Sequence, residues 1–71
     1  LSVFSVREQS DLFEAVRKLP RGYREAVHLY YYEGYSVKET AEILSLSETA
    51  VQTRLLRARR KLKEELQEAW K

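Results

Sequence analysis

The sequence predicts an all-α fold, a single domain of four helices that contains a C-terminal helix-turn-helix. The chain has 71 residues, 44% of them apolar, which suits one compact core and is too short for two domains. Its two Gly and one Pro offer few turns, which favours a few helices over many strands. Apolar residues also recur at helical spacing in four segments of the chain.

The first helix is expected to begin after Ser10, whose hydroxyl suits an N-cap. It should end at about Lys18, ahead of Pro20, because the residue before a proline avoids the helical conformation. Residues 1–9 show no helical period. We therefore assign them to a linker or disordered N-terminal remnant and assign the domain to residues 10–71.

The second helix is predicted from about Arg21 to Glu33, with Gly34 behind it as a left-handed stop. One stripe of this helix carries Tyr23, Val27, Tyr30 and Tyr31. Aromatic side chains on such a stripe favour a core role, although they could also form a base-stacking platform for single-stranded nucleic acid. Tyr32 and Tyr35 fall off the stripe, and we expect them to be partly exposed.

The third and fourth helices are predicted at Val37–Leu44 and from Glu48 to about Ala69. Ser36 and Glu39 have the spacing of a capping box at the start of the third helix. The connection Ser45-Leu46-Ser47 is short, with Leu46 as an apolar plug and Ser47 as the next N-cap. One narrow seam of the fourth helix holds Val51, Leu55, Ala58, Leu62, Leu66 and Ala69.

Composition excludes several classes of function. The chain has no Cys and a single His, so disulfides, thiolate metal sites and histidine clusters are impossible. It has no nucleophile–base pair, phosphate loop or metal-ligand set, so we expect no enzymatic activity, no cofactor and no small-molecule substrate. No run approaches the roughly 20 apolar residues of a membrane span, so we expect a cytoplasmic protein without a membrane partner.

Positive charge is concentrated near the C-terminus. Residues 1–46 hold six basic and seven acidic side chains, whereas residues 47–71 hold seven basic and four acidic ones. Six of the basic residues lie between Arg54 and Lys63, a segment that contains no acid. Such a density suits a polyanionic partner, although a basic run alone is equally typical of a solvated helix face.

A helix-turn-helix places its second helix in the major groove of DNA, where the first turns of that helix reach base edges. In this chain those turns carry Thr49, Gln52 and Thr53, which can read adenine or thymine. Arg54, Arg57 and Arg60 follow, at positions suited to phosphate contacts. The predicted DNA-binding residues are Ser36, Lys38, Ser47, Glu48, Thr49, Gln52, Thr53, Arg54, Leu56, Arg57, Arg60 and Lys61.

Several of these residues also have an ordinary structural explanation. Ser36 and Ser47 are caps first, and a phosphate contact would be a second use of the same helix ends. Glu48 complements the dipole of the fourth helix, and Lys61 can pair with Glu65 four residues later.

Four sequence blocks together resemble region 4 of an extracytoplasmic-function sigma factor of the sigma-70 family. The blocks are Leu19-Pro20-Arg21-Gly22-Tyr23-Arg24-Glu25-Ala26, Tyr31-Tyr32-Glu33-Gly34-Tyr35-Ser36, Glu39-Thr40-Ala41-Glu42-Ile43-Leu44 and Val51-Gln52-Thr53-Arg54-Leu55-Leu56-Arg57-Ala58-Arg59. The chain departs from the family pattern at four positions. Ser45 stands where a turn glycine is usual, and Thr40 stands where an apolar Ile is usual. Leu56 replaces a common small polar residue, and Gln52 replaces a common Lys.

The resemblance implies a winged-helix-like domain of the sigma region 4 type, without a wing. It further implies recognition of the minus-35 promoter element as double-stranded DNA, docking on the flap of the RNA polymerase beta subunit, and control by an anti-sigma protein. Two alternatives stay open on the residues alone. The chain could be the output domain of a stand-alone helix-turn-helix regulator, or a module that binds polymerase or an anti-sigma protein without contacting DNA.

Overall fold

The computed structural model describes residues 6–69, with side chains described from Leu12 to Leu66. Four α-helices follow one another along the chain: α1 (Val6–Arg17), α2 (Arg21–Val27), α3 (Val37–Leu44) and α4 (Glu48–Ala69). A π-helical turn, His28–Tyr32, extends α2 directly. No strand occurs within residues 6–69, which confirms the predicted all-α class, and no helix in that range is long and apolar enough to cross a membrane.

Helix α1 begins at Val6, so the predicted start at Ser10 is wrong. Ser10 lies inside the helix and cannot be its N-cap. The reason is the run of Arg7, Glu8 and Gln9, straight-chain residues that lose little side-chain freedom in a helix and let it extend toward the N-terminus. Residues 6–9 of the predicted linker are therefore helical, and residues 1–5 lie outside the described residues.

The second helix changes its hydrogen-bonding period before it ends. The Glu33 N–H donates to the His28 carbonyl at 2.9 Å, across five residues instead of four. Tyr31, which the stripe predicted to be buried, lies in this turn with 49% of its surface exposed, while Tyr30 stays half-buried. Tyr32 and Tyr35 are exposed, and Gly34 stops the helix with a left-handed φ of 81°, both as predicted.

Helix α4 packs against the other three α-helices and forms one side of the core. Its Val51, Leu55 and Ala58 are almost completely buried, which confirms the first half of the predicted seam. Leu62 and Leu66 are half-buried, and the side chain of Ala69 lies outside the described residues. The rest of the buried apolar cluster consists of Val16, Leu19, Ala26, Val27 and Ala41. Thr40 is also fully buried, at the position where the family pattern has an apolar residue, and its hydroxyl makes no hydrogen bond within the described residues.

Candidate nucleic-acid interface

The start of α3 is fixed by a reciprocal pair of hydrogen bonds. The Glu39 backbone N–H donates to the Ser36 Oγ at 3.0 Å, and the Ser36 backbone N–H donates to the Glu39 Oε1 at 3.0 Å. The predicted capping box is therefore confirmed. The backbone N–H of Ser36, and after it the Ser36 hydroxyl, stabilises the charged carboxylate and holds the pKa of Glu39 below its ordinary value of 4.5. Ser36 and the neighbouring Lys38 keep their side chains exposed.

The turn between α3 and α4 is a Schellman motif built on a serine. Ser45 adopts the left-handed conformation, with φ 57° and ψ 45°, in the place where the family pattern has glycine. The Leu46 N–H donates to the Ala41 carbonyl at 2.9 Å, and the Leu46 side chain packs against the core as the predicted plug. Ser47 then caps α4, because the Ala50 N–H donates to its Oγ at 3.1 Å.

The predicted DNA-reading residues occupy the outer side of α4. Glu48, Thr49 and Gln52 are exposed in its first turns, while Thr53 is half-buried. Leu56 lies one turn further along with 48% of its surface exposed. This face is opposite the seam of Val51 and Leu55, so the packing of α4 on the core leaves it accessible. A single helix with such an accessible face fits the width of the DNA major groove.

The basic residues divide into two environments. Arg57, Arg60 and Lys61 are exposed, whereas Arg54 is half-buried. Arg54 lies in a cleft of about 550 Å³ between α4 and the beginning of α2. The cleft is lined by Pro20, Gly22, Tyr23, Ala50, Thr53, Arg54, Arg57 and Lys61. The sequence did not indicate Pro20, Gly22 and Tyr23, because no local pattern reports contacts between residues so far apart in the chain.

Within the described residues, no acidic side chain forms an ion pair with Arg54, Arg57, Arg60 or Lys61. The predicted pair between Lys61 and Glu65 is wrong, because the Glu65 Oε2 lies 3.9 Å from the Nζ of Lys18 instead. Because α1 packs on α4, Lys18, just after the end of α1, comes close to the Glu65 carboxylate, which the spacing of residues along α4 could not indicate. The other ion pairs of the described residues, Arg17–Glu14 and Arg21–Glu25, lie outside α4, as does the contact between His28 Nε2 and Glu33 Oε2.

A separate apolar groove of about 610 Å³ opens between α1, α2 and the end of α3. Its apolar lining includes Phe13, Leu29 and Tyr32, and Phe13 and Tyr32 are 59% and 54% exposed. Arg17, Arg24, Glu25 and His28 contribute the polar part of the lining. No residue of α4 belongs to it, so this groove is distinct from the basic surface.

Comparisons with known proteins agree with this architecture. A sequence model of the family described as "Sigma-70, region 4" matches residues 9–62. The chain is 41% identical over 61 residues to a probable RNA polymerase sigma factor, RfaY, of Xanthomonas campestris, a match that covers 86% of this chain and 15% of the relative.

Two proteins of Bacillus subtilis are similar as well. The extracytoplasmic-function RNA polymerase sigma factor SigM is 44% identical over 46 residues, which is 65% of this chain and 28% of that protein. The RNA polymerase sigma factor SigZ is 40% identical over 52 residues, which is 73% of this chain and 30% of that protein. The chain thus spans less than a third of the length of each of these relatives.

Proposed function

The chain belongs to the sigma-70 region 4 family, and we propose that it recognises the minus-35 promoter element as double-stranded DNA within a sigma factor that directs transcription initiation. The family consists of transcription factors and not of enzymes. The observation that carries the proposal is the outer face of α4, which presents short polar side chains in its first turns and, behind them, arginines that make no ion pair among the described residues.

Helix α4 would enter the major groove by its N-terminal end. The Gln52 amide can make two hydrogen bonds to adenine, and Thr49 and Thr53 can bond to a base edge or place a methyl against thymine. Arg57 and Arg60 lie farther along the helix, where long guanidinium side chains reach phosphates. DNA sequence specificity would then come from Thr49, Gln52 and Thr53. Most of the binding affinity would come from Arg57 and Arg60.

This division of roles is tested by comparing Arg57→Ala with Gln52→Ala. Duplexes are first selected from a random pool with the domain joined to the rest of its sigma factor, and affinities are then measured by fluorescence anisotropy over a range of salt concentrations. Arg57→Ala should weaken binding to all duplexes and reduce the slope of log affinity against log salt by about 1. Gln52→Ala should cost about 1–3 kcal/mol on the selected duplex and much less on mismatched ones.

Arg17→Ala is the matched control, because it removes an exposed arginine on α1, away from the proposed interface. It should leave DNA affinity and the salt slope unchanged. An equal loss on every duplex for Gln52→Ala would refute its role as a base reader. An unchanged salt slope for Arg57→Ala would refute its contact with phosphate.

We further propose that the apolar groove receives the flap of the RNA polymerase beta subunit. The relatives are named as RNA polymerase sigma factors, and the groove leaves Phe13 and Tyr32 exposed on a surface that the proposed DNA contacts do not use. Burial of such aromatic side chains is what anchors a protein interface. An anti-sigma protein that competes with the flap for this groove would regulate the same step.

Phe13→Ser should weaken binding to a flap fragment by about tenfold or more, because it removes an aromatic anchor. It should leave duplex affinity intact, whereas Gln52→Ala should do the reverse. Flap binding together with a lack of any salt-sensitive DNA binding would instead support the alternative of a protein-interaction module. Equal flap affinity for Phe13→Ser and the unaltered chain would show that the flap binds elsewhere.

A further inference from the structure

Gly22 lies in the first turn of α2, and the end of the Arg54 side chain occupies the space beside it. A Cβ atom on residue 22 would overlap the Arg54 Nη1 and would lie 3.2 Å from its Cζ. Gly22 has no left-handed backbone that would itself require glycine, since Gly34 is the glycine with positive φ. Alanine is more favourable than glycine in a helix, so the backbone of α2 gains nothing from glycine here.

The guanidinium of Arg54 lies in a cleft that lacks negative charge. Arg57 and Lys61 line the same cleft, and none of its lining residues is acidic. Among the described side chains, no carboxylate forms an ion pair with Arg54, Arg57 or Lys61. Three cations facing one open cleft without a counter-charge suit an anion, and on the outer side of α4 the available anion is a phosphodiester of DNA.

We propose that Gly22 is a positioning residue: its missing side chain lets Arg54 rest on the first turn of α2, which holds the guanidinium beside Arg57 and Lys61 for one DNA phosphate. This inference rests on the proposed function. A flexible arginine loses side-chain freedom when it binds. Contact with α2 restrains Arg54 before DNA arrives, so less freedom is lost on binding.

Gly22→Ala separates this role from a role in folding. The added methyl meets the far end of a flexible side chain, so Arg54 can move away without disturbing the core. The melting temperature should stay unchanged or rise by about 2–8 °C, because alanine favours the helix. Affinity for the selected duplex should fall by about 2- to 12-fold, the equivalent of about 0.5–1.5 kcal/mol for one side chain that must now be ordered on binding.

A double-mutant cycle assigns the effect to Arg54. In the Arg54→Ala background, Gly22→Ala should cause no further loss of duplex affinity, since the side chain that it displaces is gone. In the Arg60→Ala background, which removes an exposed arginine of the same helix, Gly22→Ala should still weaken binding by the full amount. A loss of equal size in both backgrounds would overturn the inference.

A measurement without DNA tests the position of the Arg54 side chain separately from DNA binding. The Nε–Hε resonance of Arg54 should be shifted away from those of Arg57 and Arg60 in the unaltered chain, and Gly22→Ala should move it toward them. An Arg54 resonance at the position of the exposed arginines in the unaltered chain would overturn the inference. Unchanged salt-dependent DNA binding by the Gly22→Ala variant would also overturn the inference, but it would leave the proposed function standing. A lack of DNA binding by the unaltered chain would refute both the inference and the proposed function.

Discussion

Replacing Thr40 by valine should make the domain more stable. Thr40 has no exposed surface, and its Oγ1 is buried without a hydrogen-bond partner among the described residues. A buried hydroxyl without a partner costs about 1–3 kcal/mol relative to water. Valine has nearly the same shape, similar helix propensity and no polar atom, so the core needs little rearrangement. We expect the free energy of unfolding to rise by about 1–2 kcal/mol, the lower part of that range.

Circular dichroism followed through urea and thermal denaturation measures this change. The urea midpoint should rise while the dependence of free energy on urea concentration stays constant, because both variants expose the same surface on unfolding. The melting temperature should rise by about 4–8 °C for each kcal/mol in a domain of this size. Thr49→Val is the matched control, since Thr49 is exposed on α4 and its replacement should change stability by less than about 0.5 kcal/mol.

A loss of stability in Thr40→Val would refute this reasoning. It would mean that the hydroxyl donates or accepts a hydrogen bond in solution, for example to a buried water molecule, and that the polar atom contributes to the fold. An equal gain for Thr49→Val would also refute it, because the gain would then come from the side-chain type and not from burial.

Three further predictions concern the core and the helix ends. Leu55→Ala should lower the free energy of unfolding by about 2–5 kcal/mol in urea denaturation, because Leu55 is 2% exposed, whereas Leu56→Ala should cost far less. Ser45→Gly should raise it by roughly 0.5–2 kcal/mol in the same assay, as glycine relieves the left-handed strain. Because folding lowers the pKa of Glu39, the ionised carboxylate stabilises the folded domain. This contribution is complete above pH 4.5 and is lost as the pH falls through the folded-state pKa. Glu39→Gln should therefore flatten the fall in stability at low pH, and Ser36→Ala should move the pKa of Glu39, followed by NMR titration, back toward 4.5. A steeper acid loss in Glu39→Gln, a destabilised Ser45→Gly or equal effects at both leucines would contradict the respective prediction.

Features set by neighbours in the sequence were predictable. The capping box needs only Ser36 and Glu39 at the right spacing, and the core seam of α4 follows from the helical period of Val51 and Leu55. The family pattern has a turn glycine where Ser45 stands, which left either a left-handed serine or a different turn, and the structure shows the left-handed serine. The capping box and the seam depend on residues close together in the sequence, whose local preference agrees with their final environment.

Features that depend on phase or on distant contacts were not predictable. The helical stripe placed Tyr31 in the core, but Tyr31 lies in the π-helical turn that follows α2, where its side chain is exposed. No sequence pattern indicated this turn. Glu65 pairs with Lys18, just after the end of α1, a contact that spacing along α4 could not indicate. The place of Arg54 against Gly22 likewise depends on how α2 crosses α4, a relation that only the packed structure defines.

The orientation of α4 about its own axis determines both which side chains enter the core and which ones form the proposed DNA surface. Val51 and Gln52 are adjacent, and one is fully buried while the other is exposed. If α4 were turned by one residue, about 100°, the Gln52 amide would enter the core without hydrogen-bond partners, and the Val51 side chain would turn out of the core. Each of these changes costs stability, so the buried seam fixes which residues can face DNA. Substitutions on the outer face should therefore change DNA binding with little effect on folding, and those in the seam should act on binding only through the folded fraction.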